Sequence, residues 1–347
     1  FFFNRLFIME SNHTLFSLTS TQSDISYCDW RVSLSECNHE STLKILLLVS
    51  SILNLILFTL SSMALCWKLH HRSFDKHYKI WKIHEWPSLD LILFWIVIYC
   101  LSKFLFSFIA GLDLFANNLI IRSLIFKFSF IPQYYIVLIY LANVFRLIPR
   151  LSFDQASNSN SNITKIYIPK ERQVTIIFWI LSIYTLFSII ISAVIRGYSI
   201  MNNDLILFRF LMVLETLFTL NQACFGICFI YYGRISVELT NQSMILAGIN
   251  DVNIRVNNSN EDWNQSSNTL NKLHVHKMQI FYIVFGISLI IYSSLNTLYL
   301  IFYREFVNNF IIEMFNFALV MFGNTLFTFI LIVAIFLPSL SDTDYFI

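Results

Sequence analysis

Seven long apolar segments constrain the fold of this chain more than any other feature of its sequence. They cover residues 44–66, 89–111, 119–145, 173–195, 205–232, 278–303 and 310–337. Each is long enough to cross the hydrocarbon core of a bilayer as a helix, which takes about 20 residues. The segments are continuous and lack the strict alternation of barrel strands. The sequence therefore predicts an all-α membrane protein, a seven-transmembrane helix bundle, whose helices we number span one to span seven.

The composition points to the lipid bilayer as the surroundings of the chain. Hydrophobic residues make up 56% of the sequence and charged residues only 13%, about half the charged share of a typical soluble domain. Such a chain has too few polar groups to cover the surface of a soluble fold. The net charge of +2 is small, and no basic arm or mixed aromatic and basic patch is present, so no nucleic-acid partner is predicted.

The distribution of lysine and arginine predicts the orientation. Fourteen of these residues lie in the connections after spans one, three and five, at 67–88, 146–172 and 233–277, against five at the opposite end. Because cytosolic connections carry the excess of positive charge, the N-terminus is expected outside or in a lumen and the C-terminus in the cytosol. The polar segment 233–277 is predicted to be a mobile cytosolic loop, and 338–347 a short cytosolic tail.

The segment before span one is predicted to be an outer or lumenal tail, residues 1–43. Its first part, 1–8, precedes the first methionine and is treated as a candidate extension of the gene model. Asn12 begins a glycosylation sequon on this predicted side. Cys28 and Cys37 either form a disulfide, if the tail lies in an oxidising compartment, or remain free thiols.

Charged and polar residues inside the spans predict a pocket. Ionisable side chains are costly in a bilayer, so they normally face the bundle interior or a wet cavity. At about 100° per residue, the polar residues of spans three, five, six and seven each fall on one helical face. Most of them lie toward the outer or lumenal end, where we expect a polar pocket. Its candidate lining is Lys103, Arg122, Glu215, Asn296, Glu313 and Asn316.

A purely structural role for the same residues is the alternative. Lys103 and Glu215 lie at similar depth and are candidates for a neutralising ion pair. Arg122 would then reach back to the lipid headgroups. Hydrogen bonds between spans, worth about 1 kcal/mol each, would hold the bundle together. The sequence leaves both interpretations open.

The sequence predicts no metal site, no cofactor and no enzymatic activity. No histidine lies within a span, and Glu215 and Glu313 belong to different spans at different depths. Intramembrane hydrolysis requires a nucleophile with a base, paired carboxylates or a metal site. The histidines of the first cytosolic connection lack a recognisable ligand spacing.

Short motifs in four regions resemble one family of membrane proteins. The sequence reads Cys100-Leu101-Ser102-Lys103, Tyr140-Leu141-Ala142-Asn143-Val144-Phe145-Arg146, Tyr231-Tyr232-Gly233-Arg234 and Glu313-Met314-Phe315-Asn316-Phe317-Ala318-Leu319-Val320. Together these motifs are similar to the tobamovirus-multiplication-protein family of seven-transmembrane proteins, which comprises plant proteins and their fungal relatives. Asn143 stands where the family usually carries an acidic residue, and Asn316 where it usually carries a proline.

The resemblance implies a receptor-like topology in an intracellular membrane. The expected location of the chain is an endomembrane, vacuolar or similar, or the plasma membrane. The signature residues of rhodopsin-like receptors are missing, since Arg146 has no acidic neighbour and span six has no proline. The predicted function is therefore a receptor-like or adaptor membrane protein of unknown ligand. Cytosolic protein partners are expected on 67–88, 146–172 and 233–277. The alternative is a small-solute or ion transporter or channel that uses the polar residues of the spans.

Overall fold

The computed structural model describes residues 30, 31, 34, 39–73, 86, 88–156, 170–202, 204–255, 282–302 and 310–341. Within these ranges the regular secondary structure is entirely helical. Asn12, Cys28 and Cys37 lie outside the described residues, so the glycosylation site and the disulfide stay predictions.

Seven helices among the described residues are long and apolar enough to cross a membrane. Spans one and two are Glu40–Ser73 and Ser88–Gly111, span three is Leu119–Phe128 with Ile131–Ala156, span four is Glu171–Asn202, span five is Leu205–Arg255, span six is Tyr282–Ile301, and span seven is Phe310–Ala318, Leu319–Gly323 and Asn324–Ser341. The predicted all-α bundle of seven candidate spans is confirmed, and the chain is an integral membrane protein by the length and hydropathy of its helices.

The helix of span five differs from the predicted boundary. It runs on from residue 232 to Arg255, so the first half of the segment predicted as a mobile loop is helical. Gly233 lies against the Tyr282 ring, and Val237 is buried in the main apolar cluster, which extends the packed interface past the predicted end. No proline interrupts this stretch, and proline is the residue that most strongly breaks a helix. The helix of span three likewise continues to Ala156.

Spans three and seven are interrupted helices. Span three breaks at Ser129 and Phe130, and Pro132 then stands in the first turn of the second helix, where its missing N–H costs no hydrogen bond. Span seven contains a π-helical segment, Leu319–Gly323, between two α-helices. Such segments are rare and often mark functional sites.

The end of the bundle at which the odd-numbered spans begin, here called the N-terminal end, is closed by part of the N-terminal tail. Trp30 is only 1% exposed. Its ring centroid lies 5.7 Å from that of Phe126 and 4.8 Å from that of Phe317, both in edge-on contacts. Leu34 is buried in the same cluster. These tail residues are thus part of the packed core.

The outer surface of the bundle is apolar. On span four, Trp179, Ile183 and Phe187 are each more than half exposed. Large apolar side chains facing outward are unfavourable in water but match lipid tails. The exposed face of this helix is therefore suited to lipid.

Two glycine contacts bring spans very close together. A Cβ atom on Gly197 of span four would lie 2.6 Å from the Cα atom of Ile120 in span three. A Cβ atom on Gly226 of span five would lie 2.7 Å from the carbonyl oxygen of Gly286 in span six. Small residues permit such backbone approach, which is a common basis of helix packing in membranes.

Candidate functional site

A buried ion cluster joins spans three, four and five. One carboxylate oxygen of Glu215 lies 2.6 Å from Lys127 Nζ, and the other lies 2.7 Å from Arg196 Nη2. The exposed fraction of the side chain is 8% for Glu215, 16% for Lys127 and 2% for Arg196. The cluster thus sets two cations against one carboxylate, and the carboxylate of span five holds spans three and four together.

A cavity of about 80 Å³ lies against this cluster. A single water molecule needs roughly 10–15 Å³ by the same measure, so the space admits several waters or a small molecule. The charged residues that line it are Arg31, Lys127 and Glu215. Uncharged polar residues of its wall are Ser188, Ser192, Thr219, Gln222, Tyr292 and Asn296. Aromatic rings supply much of the remaining surface, among them Phe126, Phe130 and Phe218.

The cavity wall contains a hydrogen-bond acceptor that the described residues do not satisfy. Gln222 Oε1 is buried and accepts no hydrogen bond within the described part of the chain. Asn296 Nδ2, by contrast, donates to the Tyr292 carbonyl oxygen at 3.0 Å. Buried polar atoms normally have a partner, which is often an ordered water or a ligand. A molecule in the cavity with a hydroxyl or N–H group would satisfy Gln222.

Arg31 brings the N-terminal tail to the cavity. Its guanidinium carbon lies 4.9 Å from the ring centroid of Tyr299, 5.6 Å from that of Trp30 and 6.0 Å from that of Phe126. Arginine packs well against aromatic faces because its charge is delocalised over a planar group. The tail therefore contributes a positive group to the same space as Lys127.

The structure brings two of the six predicted pocket residues to the cavity. Glu215 and Asn296 line it. The other four, Lys103, Arg122, Glu313 and Asn316, are buried but are not among its lining residues. Arg122 forms an ion pair with Asp113, in the turn between spans two and three, whereas the structural alternative gave it a contact with lipid headgroups.

The structure does not form the Lys103–Glu215 ion pair that was the structural alternative. The Lys103 ammonium lies 3.4 Å from the centre of the Phe130 ring and makes no hydrogen bond to the described residues. Glu215 instead binds the cations of spans three and four. The depth of a residue within its span did not predict its ion-pair partner, because depth contains no information about which spans are neighbours.

We expect Lys103→Met to fold at least as stably as the unmodified protein. Lys103 is 2% exposed, and an ammonium buried without hydrogen bonds is costly. Methionine keeps the linear side chain and its contacts with the aromatic rings. After the loss of the cation–π contact with Phe130, the net gain should be about 1–2 kcal/mol.

Thermal unfolding of the purified protein in detergent measures this effect. The control is Leu101→Met, which introduces methionine two residues away at a position 38% exposed. A clear fall in melting temperature for Lys103→Met alone would show that the ammonium stabilises the bundle.

Three cations of the site, Arg31, Lys127 and Arg196, were not among the predicted pocket residues. Arg196 follows the predicted end of span four and was assigned to a connection, but the helix continues to Asn202 and buries it. A signal was present in the sequence, because Ser188, Ser192 and Arg196 recur every four residues on one helical face. Arg31 carried no such signal, since it lies in the tail.

A polar layer adjoins the cavity. Asn324 accepts a hydrogen bond from Gln133 Nε2 at 3.2 Å, and its own Nδ2 lies 3.5 Å from the Tyr292 hydroxyl. Asn54 Nδ2 donates to the Thr325 hydroxyl at 3.4 Å. Because Tyr292 also lines the cavity, these bonds connect the cavity to spans one, three and seven.

The candidate site is the main evidence for the function of this chain. No protein-family model, curated protein or solved structure matches the chain. In the described part of the chain, no group of three or more His, Cys, Asp and Glu side chains is placed to hold a metal ion. The fold and the site define a multi-pass membrane protein with a charged cavity between its helices.

Proposed function

We propose that this chain is a receptor-like or adaptor membrane protein, without enzymatic activity, that responds to a small polar ligand bound beside Glu215. The observation that carries the proposal is the cavity, because side chains from spans three, four, five, six and seven all line it. A ligand there contacts five helices at once, and different contacts in two helix arrangements would shift the balance between them. The resemblance to the tobamovirus-multiplication-protein family supports the receptor-like topology.

The proposed orientation puts the cavity in the outer or lumenal half of the bundle, because its lining lies between the N-terminal end and the middle of the spans. The bias of lysine and arginine supports this orientation. Glycosylation of the expressed protein tests it. Asn12→Gln should remove a glycan and increase gel mobility, whereas Asn241→Gln, at a sequon on the proposed cytosolic side, should change nothing. The reverse result would invert the topology.

The ion cluster is the proposed switch. Glu215 holds spans three and four through Lys127 and Arg196, so a ligand that competes for one of these groups would loosen one contact between spans. The helices of spans three and five extend to Ala156 and Arg255. A change at the cluster would thus be transmitted along these helices to the segments 146–172 and 233–277. We place the binding of cytosolic partners on these two segments and on 67–88.

A thermal-stability screen tests the binding site. The purified protein is melted in the presence of a panel of small polar compounds, and binding to the folded state raises the melting temperature. Ser192→Phe fills the cavity from span four, and Ile190→Phe places the same ring at a position 40% exposed on that helix. Compounds should stabilise the unmodified protein and Ile190→Phe but not Ser192→Phe. Equal stabilisation of Ser192→Phe would exclude this cavity as the site.

A transporter of small solutes or ions is the second candidate function. Phe130, at the break in span three, and Val320, in the π-helical segment of span seven, both line the cavity. Discontinuous helices beside a binding site are common in transporters. Purified protein in liposomes would then move a cavity-binding compound down its gradient, and Ser192→Phe would abolish the flux. Flux no greater than in empty liposomes would remove this candidate.

A further inference from the structure

We propose that the ligand of this cavity is a small organic anion, a single carboxylate on an apolar body, whose carboxylate binds Lys127 in place of Glu215. The assignment rests on the proposed function, because it names the chemical class of the ligand for the same site. It follows from the way in which one carboxylate is shared between two cations.

The two cations around Glu215 are not equivalent. The Arg196 side chain is 2% exposed and is not among the cavity-lining residues, whereas Lys127 lines the cavity. If Lys127 turns toward a ligand, Glu215 still keeps the Arg196 guanidinium at 2.7 Å. Lys127 can therefore change partner without leaving a buried carboxylate uncompensated, which would be strongly unfavourable.

The charges that line the cavity favour an anion. Two cations, Arg31 and Lys127, and one carboxylate, Glu215, line it, so its wall attracts a negative charge more than it repels one. A cationic ligand would approach Lys127 and the Arg31 guanidinium and would have only Glu215 to bind, which already contacts two cations. Like charges at such distances repel strongly in a region of low dielectric constant. A neutral ligand would leave the balance unchanged.

The uncharged residues of the cavity wall indicate which groups the ligand carries besides its carboxylate. Phe126, Phe130 and Phe218 line the cavity, and aromatic side chains favour an apolar or planar group. Gln222 Oε1, which has no donor within the described residues, would accept from a hydroxyl or N–H group on that body. The cavity volume of about 80 Å³ limits the ligand to a small molecule.

Matched compounds of equal shape and different charge test the inference. Benzoate, benzamide and benzamidine carry charges of minus one, zero and plus one on nearly the same frame, and acetate, acetamide and acetamidine repeat the series at a smaller size. Affinities are obtained from melting temperature against concentration. In at least one size, the anion should bind roughly tenfold or more tightly than the amide, because only the anion forms an ion pair with Lys127.

Three variants assign the effect to Lys127. Lys127→Met should lose most of the preference for the anion, because only the Arg31 charge is left in the cavity wall, and Lys127→Arg should retain the preference. Lys103→Met removes a buried cation that does not line the cavity, so it should leave the preference unchanged. A preference for the anion that is undiminished in Lys127→Met would overturn the role of this residue.

The outcomes separate this inference from the proposed function. If the amide or the amidine binds as well as the anion, the anion assignment is wrong, while a cavity that Ser192→Phe closes still supports the proposed function. If none of the six compounds binds the unmodified protein, the assignment is also wrong. The proposed function itself is decided by the wider panel.

The same anionic chemistry occurs in soluble acids and in lipid headgroups, and we assign the ligand to the soluble acids. Nanodiscs of phosphatidylcholine, with and without phosphatidate, distinguish the two sources. Equal affinity for benzoate in the two kinds of nanodisc would support a soluble acid as the ligand. Weaker affinity in the presence of phosphatidate would overturn that source in favour of a lipid.

Discussion

Replacing Glu215 by glutamine is expected to cost about 3–5 kcal/mol of stability, because it leaves two buried cations without their shared carboxylate. The neutral amide keeps the shape of the side chain but cannot balance Lys127 and Arg196, which lie 2.6 and 2.7 Å from the carboxylate oxygens. We expect a large fall in the melting temperature of the purified protein and a lower yield of folded protein.

Removing a cation should have a much smaller effect than removing the carboxylate. Lys127→Met leaves Glu215 paired with Arg196, so its cost should be about 1–2 kcal/mol. In the double variant with Glu215→Gln, the loss of Lys127 should recover part of the stability, because one repelling cation is gone. Equal losses of stability for Glu215→Gln and Lys127→Met, which add up in the double variant, would contradict the sharing of one carboxylate by two cations.

A side chain at Gly197 is expected to be the second severe change. A Cβ atom there would lie 2.6 Å from Ile120 Cα and 2.8 Å from Ile120 N, and both are backbone atoms that cannot move aside as a side chain can. Gly197→Ala should force spans three and four apart at a cost of about 3 kcal/mol, the upper end for an overpacked core, and Gly197→Val should cost more.

Gly323→Ala is the matched control for this prediction. A Cβ atom at Gly323 has its nearest neighbour at 3.8 Å, an ordinary contact, and alanine favours a helix over glycine by about 1 kcal/mol. Its melting temperature should stay equal or rise, while that of Gly197→Ala falls by several degrees. Similar melting temperatures for the two variants would show that the close approach of spans three and four does not limit stability.

The number of spans was predictable from sequence because the physics that determines it is local. A bilayer requires about 20 consecutive apolar residues, and this requirement is met or not met within each segment. The ends of the helices were less predictable. Val237 and Arg196 are buried by contacts with other spans, and hydropathy along the chain contains no information about such contacts. Both predicted boundaries therefore fell short of the helices.

The candidate site was predictable only in part, for a related reason. Helical periodicity grouped Glu215 and Asn296 with the bundle interior, and both line the cavity. It could not select the partner of Glu215, because that depends on which spans are neighbours. The orientation of a side chain around its own helix is encoded in a few residues, whereas the pairing of spans depends on contacts such as that between Gly197 and Ile120.

The buried position of Trp30 has a consequence for the order in which the protein assembles. Trp30 is synthesised before every span, yet one of its ring partners, Phe317, belongs to the last span. The aromatic cluster at the N-terminal end of the bundle is therefore incomplete until synthesis of span seven. A chain that stalls after six spans would leave this tryptophan without one of its contacts, and such exposed apolar surface is what quality-control machinery recognises.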